Sequence, residues 1–279
     1  MIKWYNYGGA LLLKDRDPHS DNSDITYDVA KKALKEHGGY FCRWTSNFDC
    51  GYQTEWWYCI KDTAVSLSDL SSKQRYRINK GLKNFEIRKL DSKGLEKSIH
   101  SMYEIALDCF KEYPSKYRPR IEEDEFTKTH LAGINKSDYW IVIDRESEKI
   151  EGYSICTINN YMVHLTVVKI RPDVFKKEPN AAIIYELCDY YLNKKGLRYI
   201  CDGERNIRHE TNYQDFLVKT INFRYAYCQL NIVYNPIVKL VITLLFPLRK
   251  MLRVTGNNVP LFYNLYCLLK QDEYARSFK

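Results

Sequence analysis

The chain has 279 residues, 45% of them hydrophobic and 28% charged, a composition that supports a folded core and excludes a disordered tail or a repeat array. Lys and Arg number 43 against 35 Asp and Glu, for a formal net charge of +8. Only 12 glycines are present, none in G-x-G-x-x-G or P-loop spacing, which excludes a glycine-cradled nucleotide phosphate.

The apolar N-terminal stretch is broken by Asn6 and ends at Lys14, shorter than a signal-peptide core or a membrane span. Ser23 and Asp24 are suited to cap a helix reaching about His37, which Gly38-Gly39 would stop. Two aromatic strands are expected over 40–44 and 54–62. Their Tyr40, Trp44, Trp56, Trp57 and Tyr58 fit a core better than a stacking platform. A polar helix is expected over about 68–84, with Leu70, Ile78 and Leu82 turned inward, and a second runs from Leu95 to Tyr113.

A Pro- and Arg-rich loop leads to a short helix near 123–132. Strands are then expected at 139–143, 150–158 and 161–170. Asn159-Asn160 would form a two-residue turn that sets His164 opposite Ile155. A helix with Pro179 near its start and Gly196 past its end comes next, then a strand over 197–201. The polar run from Asp202 to Glu210 leads to a short helix capped by Thr211 or Asn212, and a last strand covers 224–234. The whole is an α+β order.

Nine cysteines (42, 50, 59, 109, 156, 188, 201, 228 and 267) include no C-x-x-C pair. They read as reduced thiols among apolar neighbours, in a cytoplasmic protein with no metal site. Between Ser72 and Lys93 there are eight cations and two acids, so this segment holds +6 of the chain's +8. Such a stripe suits a phosphate-bearing partner or simply a solvated helix face. Residues 236–253 are strongly apolar with a basic end (Arg249, Lys250, Arg253). They are too short and interrupted to cross a bilayer, and fit a helix packed on the sheet or on a second subunit better than one at a membrane surface. The oligomeric state is not legible.

Three stretches resemble the acyltransferase fold of the GNAT superfamily, and within it the FemAB-like branch of tandem GNAT-type lobes. They are Leu70 to Ile87, Gly152 to Gly196, and Asn212 to Arg224. The resemblance implies a mixed, mostly antiparallel sheet flanked by helices. It also implies a trimmed N-terminal lobe over 1–90 with a basic connecting helix, an acyltransferase lobe over 91–236, and an apolar helical segment over 237–279 packed on that lobe. The function it implies is transfer of an acyl or aminoacyl group from a thioester or ester to an amine, with acyl-CoA or aminoacyl-tRNA as donor. The usual glycine-containing pyrophosphate loop is absent, and Val174 to Ala182 stands in its place without a glycine.

The resemblance places the donor carbonyl beside the strand at Thr166, Val168 and Lys169. Phosphates or a pantetheine arm would meet the helix start at Asn180 and Ala181, with Arg171, Lys176 and Lys177 nearby. Arg75 and Arg77 of the basic helix are further candidates for the donor's phosphates. A general base needs hydrogen-bond reach to the amine and a pKa near neutrality, which leaves His164, Asp202, Glu204 and His209 open. Loop pairs Glu204–Arg205 or Arg208–Glu210 are the plainer expectation for that loop. The alternative function is a degenerate, non-catalytic protein that binds an anionic ligand or nucleic acid through residues 72–93.

Overall fold

Thr26, rather than Ser23 or Asp24, opens the first helix. Its hydroxyl accepts from the Val29 N–H, and α1 runs Tyr27–His37. Asp24 is drawn instead into a two-pronged ion pair with Arg16 (2.6 and 2.8 Å), while Asp21 accepts from the Ser23 N–H. The computed structural model describes residues 2–113, 118–207, 212–255 and 260–278. Tertiary contacts divide it into two units, one of residues 1–59, 204–211 and 225–279, the other of 60–203 and 212–224.

The first unit starts with a hairpin that the hydrophobic pattern did not announce. Strands β1 (Trp4–Tyr7) and β2 (Ala10–Leu13) are joined by Gly8-Gly9, both at positive φ (58° and 87°), as a type I′ turn requires. Then come β3 (Phe41–Ser46) and the start of β4 (Trp56–Lys61), with β10 (Arg224–Tyr234) antiparallel to β3. The strand order in this unit is β1-β2-β3-β10-β4. One cluster packs α1 residues Ala30 and Ala33 on Leu11, Cys42, Trp44 and Val233. Another places Trp56, Cys228, Leu230 and Ile232 against Tyr274 of the last helix, α9 (Pro260–Ser277). Trp44 and Trp56 are core as expected, whereas Tyr40 is exposed. Between β10 and α9 lie α7 (Pro236–Leu245) and α8 (Arg249–Thr255).

The second unit has the legible core. Its sheet runs β5-β6-β7-β8-β9, with β5 (Phe85–Leu90), β6 (Ser137–Asp144), β7 (Ile150–Asn159) and β8 (Met162–Ile170) antiparallel and β9 (Tyr199–Glu204) parallel to β8. Strand alternation turns Tyr139, Ile141, Tyr153 and Ile155 to one face, where α3 (Ser92–Lys111) buries Leu95, Met102, Ile105 and Ala106 against them. The short helix α4 (Glu123–Gly133) packs on α3. Trp140 points to the opposite face and donates to the Tyr191 hydroxyl at 3.0 Å.

That opposite face is covered by α2 (Ser72–Asn84) and α5 (Pro179–Cys188), and α6 (Tyr213–Ile221) packs on both helices. α5 continues into a π-helical turn, Asp189–Lys194, and Gly196 at φ 65° ends it. The polar helix expected from residue 68 is in fact a 3₁₀ turn (Leu67–Asp69) and then α2, which Ser71 and Gln74 cap reciprocally. α2 approaches α5 at Gly81. A Cβ there would stand 2.4 Å from the Glu178 carbonyl oxygen and 2.9 Å from the Ala182 methyl, so only glycine fits the crossing. The α+β order and the mostly antiparallel sheet flanked by helices match the sequence reading.

Candidate functional site

The register at β8 differs from expectation in a way that shapes the site. The turn is centred on Asn160-Tyr161 and not Asn159-Asn160, and only Asn160 has positive φ (41°). A one-residue slip of the turn moves every partner by two, so His164 faces Thr157 instead of Ile155 and keeps the same face of the sheet. Beyond it the register shifts again. Cys156 pairs with Leu165 and Ile155 with Val167, which leaves Thr166 as the bulged residue. β9 pairs with β8 only through Met162–Tyr199, Val163–Ile200 and His164–Cys201. Past that point the two strands part, β8 continuing to Ile170 and β9 to Glu204.

His164 stands at the fork. Its Nδ1 lies 3.5 Å from the Thr166 hydroxyl, which in turn meets Thr157 Oγ1 at 2.9 Å, and Thr157 meets Ser137 Oγ at 3.0 Å. This row of hydroxyls crosses three strands and orients the imidazole. Its Nε2 sits 3.5 Å from where a Cβ on Gly203 would be, so Gly203 (φ 113°) leaves room for the ring. Burial pushes the His164 pKa below the usual histidine value, so the ring is neutral at pH 7.

Asp202 comes directly after Cys201, and alternation puts it on the face opposite His164. Burial pushes its carboxyl up to about 7, opposed only in part by a hydrogen bond from Gln214 of α6. Gln214 Nε2 also lies 3.5 Å from the Gly203 carbonyl. Two proton acceptors thus flank the fork, one on each face: Asp202, raised toward neutral pH, and His164, lowered below the usual histidine value. Sequence reasoning misses Gln214, because nothing in a short helix twelve residues downstream marks one glutamine as a partner of Asp202.

The remaining expected site residues fall elsewhere. Glu204 belongs to the first unit, where its carboxylate is held by the Arg43 guanidinium, which also donates to Gln271 at 2.9 Å. Arg205 does not pair with Glu204. It binds Glu55 at 2.7 Å and lies over the rings of Trp57 and Tyr274 (4.2 and 4.0 Å). His209, with Arg208 and Glu210, lies outside the described residues. Val168 faces Ser154 across the β7–β8 pair. Lys169 donates to the Tyr113 hydroxyl at 3.0 Å and lies over Phe110 and Tyr113 at the end of α3.

Asn180 and Ala181 occupy the first turn of α5 behind Pro179, but the residue that precedes the helix is acidic. Glu178 adopts a left-handed conformation (φ 64°), and its carboxylate accepts from Arg77 Nε and Nη2 at 3.0 and 2.8 Å. Arg77 Nη1 donates to Thr220 at 3.0 Å and the guanidinium lies over Phe216. Arg75 donates to the Leu70 carbonyl and Ser72. Arg171 is taken up by Asp108, Glu104 and Glu151, and Lys177 by Asp144. Lys73, Lys83 and Lys176 remain exposed. No group of His, Cys, Asp and Glu among the described residues is arranged to hold a metal ion.

No protein-family model matches the chain, and no curated protein matches it in sequence. Solved structures do match in shape. FemX superposes with a TM-score of 0.58 at 9% identity, over 86% of each chain. The C-terminal domain of a protein described as a lysylphosphatidylglycerol synthetase from Agrobacterium fabrum gives 0.57 at 8% identity, over 87% of this chain and 83% of that one. L-PGS from Bacillus licheniformis gives 0.54 at 11%, over 96% and 85%. Identities this low speak to architecture alone, and on architecture they agree: the chain has the fold that FemX and these two proteins share.

Proposed function

We propose that the chain transfers an acyl or aminoacyl group from an activated thioester or ester to an amine. The observation that carries this reading is Asp202, a carboxyl raised to about 7 at the point where β8 and β9 part. An amine reaches its nucleophilic form only by losing a proton, and a base with a pKa near the working pH removes it most effectively. Asp202 takes that role and Gln214 fixes the carboxylate. Backbone N–H groups of β8 from the Thr166 bulge onward stabilise the oxyanion formed on attack. Holding amine and carbonyl together at the fork supplies the rest of the acceleration. His164, neutral and presented through Nε2 on the other face, is the second proton acceptor.

The donor is an acyl-CoA or an aminoacyl-tRNA. The kinds of protein that the structural relatives are named as support aminoacyl or acyl transfer in general. The acidic Glu178 before α5 stands where a pyrophosphate would approach that helix, so a CoA donor would keep its phosphates nearer Lys176 than in a glycine-loop enzyme. The test presents acyl-CoAs and aminoacyl-tRNAs in turn with a panel of amines and measures acyl transfer. With whichever pair reacts, Asp202→Asn lowers turnover at least about tenfold without any loss of melting temperature. Near-normal turnover in that variant removes Asp202 from the mechanism. Absence of transfer with every pair, alongside binding of polyanions that residues 72–93 account for, would favour the non-catalytic alternative.

A further inference from the structure

Asn235 and Pro236 start α7, the asparagine side chain accepting from the Ile237 N–H at 3.0 Å and the proline occupying the first helical position. From there α7 turns an apolar stripe outward. Ile237, Leu240, Val241 and Leu244 recur at helical spacing on one face, and Leu248 and Met251 prolong it through the 3₁₀ turn Phe246–Leu248 into α8. Ile237, Leu240, Leu244 and Met251 are each 60–75% exposed, and Ile242 is the buried residue of α7. The helix is thus held to its own unit through Ile242, with Val238 and Leu245 half-buried, while Ile237, Leu240, Val241 and Leu244 face away.

The charged side chains within the segment itself have one sign. Lys239 and Lys250 are exposed beside the stripe, and from Pro236 to Gln271 the sequence contains no Asp or Glu. Arg249 is committed to Glu273 at 3.1 Å and lies over Phe246, which ties the start of α8 to α9 and leaves the stripe free. The exposed members are aliphatic or methionine, without the Trp, Tyr or free Arg that anchor protein–protein interfaces. α7 spans about 15 Å at 1.5 Å per residue. No helix among the described residues is long and apolar enough to cross a membrane. A short aliphatic face flanked by lysines suits the plane of a bilayer better than its interior.

We propose that α7 and α8 form an interfacial anchor that lays the chain on an anionic lipid surface, with the aliphatic stripe at the acyl boundary and Lys239 and Lys250 among the headgroups. The anchor stands on exposure and charge in residues 236–252 and is independent of the transfer chemistry. The test is co-sedimentation of the full chain with phosphatidylcholine vesicles and with mixed phosphatidylcholine–phosphatidylglycerol vesicles. Binding is expected to the mixed vesicles and to weaken with salt. The double variant L240E/L244E, altered at two exposed positions, should lower it at least about tenfold. K239Q/K250Q should lower it less and remove the salt dependence. A circular dichroism melt confirms that both variants are folded. No binding of the unaltered chain, equal binding to both kinds of vesicle, or binding unchanged in L240E/L244E overturns the proposal. So does a mass that doubles with concentration and is halved by L240E/L244E without vesicle binding, which would assign the stripe to a second copy.

Discussion

Arg77 and Asp202 are both ionisable side chains set well into the second unit, and the fold treats them in opposite ways. Arg77 is surrounded by everything a guanidinium needs, with Glu178, Thr220 and the face of Phe216 each in place. Asp202 has a glutamine, and among the described residues no cation contributes to the position of its pKa. A charge answered at close range is part of the scaffold. A carboxyl buried with only an amide for company is held at a cost, and such sites concentrate where proton transfer is needed. The same contrast separates Asp202 from Glu204 two residues on, whose carboxylate meets Arg43.

The largest effect that sharpens this contrast is in Arg77→Ala, which strands the Glu178 carboxylate and the Thr220 hydroxyl beside the α2–α5 crossing. It should destabilise the chain by about 2–3 kcal/mol in a chemical denaturation series, as expected when a hydrogen-bonded charge loses its partner. A loss under about 0.5 kcal/mol would return Arg77 to the surface class.

Asp202→Asn should act in the other direction and depend on pH. The native carboxyl keeps its proton up to about 7, against 3.8 for the ordinary group. Between those values the folded chain binds more proton than the unfolded one. The stabilisation is therefore fully present below about 4 and is lost as pH rises through about 7. The variant cannot ionise, so its melting temperature should exceed that of the unaltered chain at pH 8 and the gain should vanish near pH 4. A variant less stable at pH 8 would contradict burial as the cause. The smallest effect belongs to Lys73→Ala on the exposed face of α2, which should leave stability within about 0.5 kcal/mol and transfer activity unchanged.

Much of the second unit is legible in the sequence because its periodicities are clean. The meander from β6 to β8 alternates, and α5 is bracketed by Pro179 and Gly196. The site is legible only as a neighbourhood. Asp202 and His164 can be named from strand ends and residue chemistry. The Thr166 bulge and the slipped turn, which fix where His164 stands, depend on cross-strand packing. Partners far along the chain are out of reach: Glu178 lies 101 residues from Arg77 and Glu204 lies 161 from Arg43. For the same reason a basic segment that suggests a phosphate site spends its central arginines on contacts within α2 and with α5 and α6. The β1–β2 hairpin escapes a sequence reading because four-residue strands carry too little alternation, although Gly8-Gly9 marks the turn.

The most direct test of the central claim is a carbon-13 NMR titration of the side-chain carboxyls, comparing the unaltered chain with Asp202→Asn. One resonance is expected to titrate near 7 in the first and to be missing from the second. If the resonance lost in the variant titrates near 4, Asp202 is an ordinary carboxylate and the fork between β8 and β9 has no base poised there.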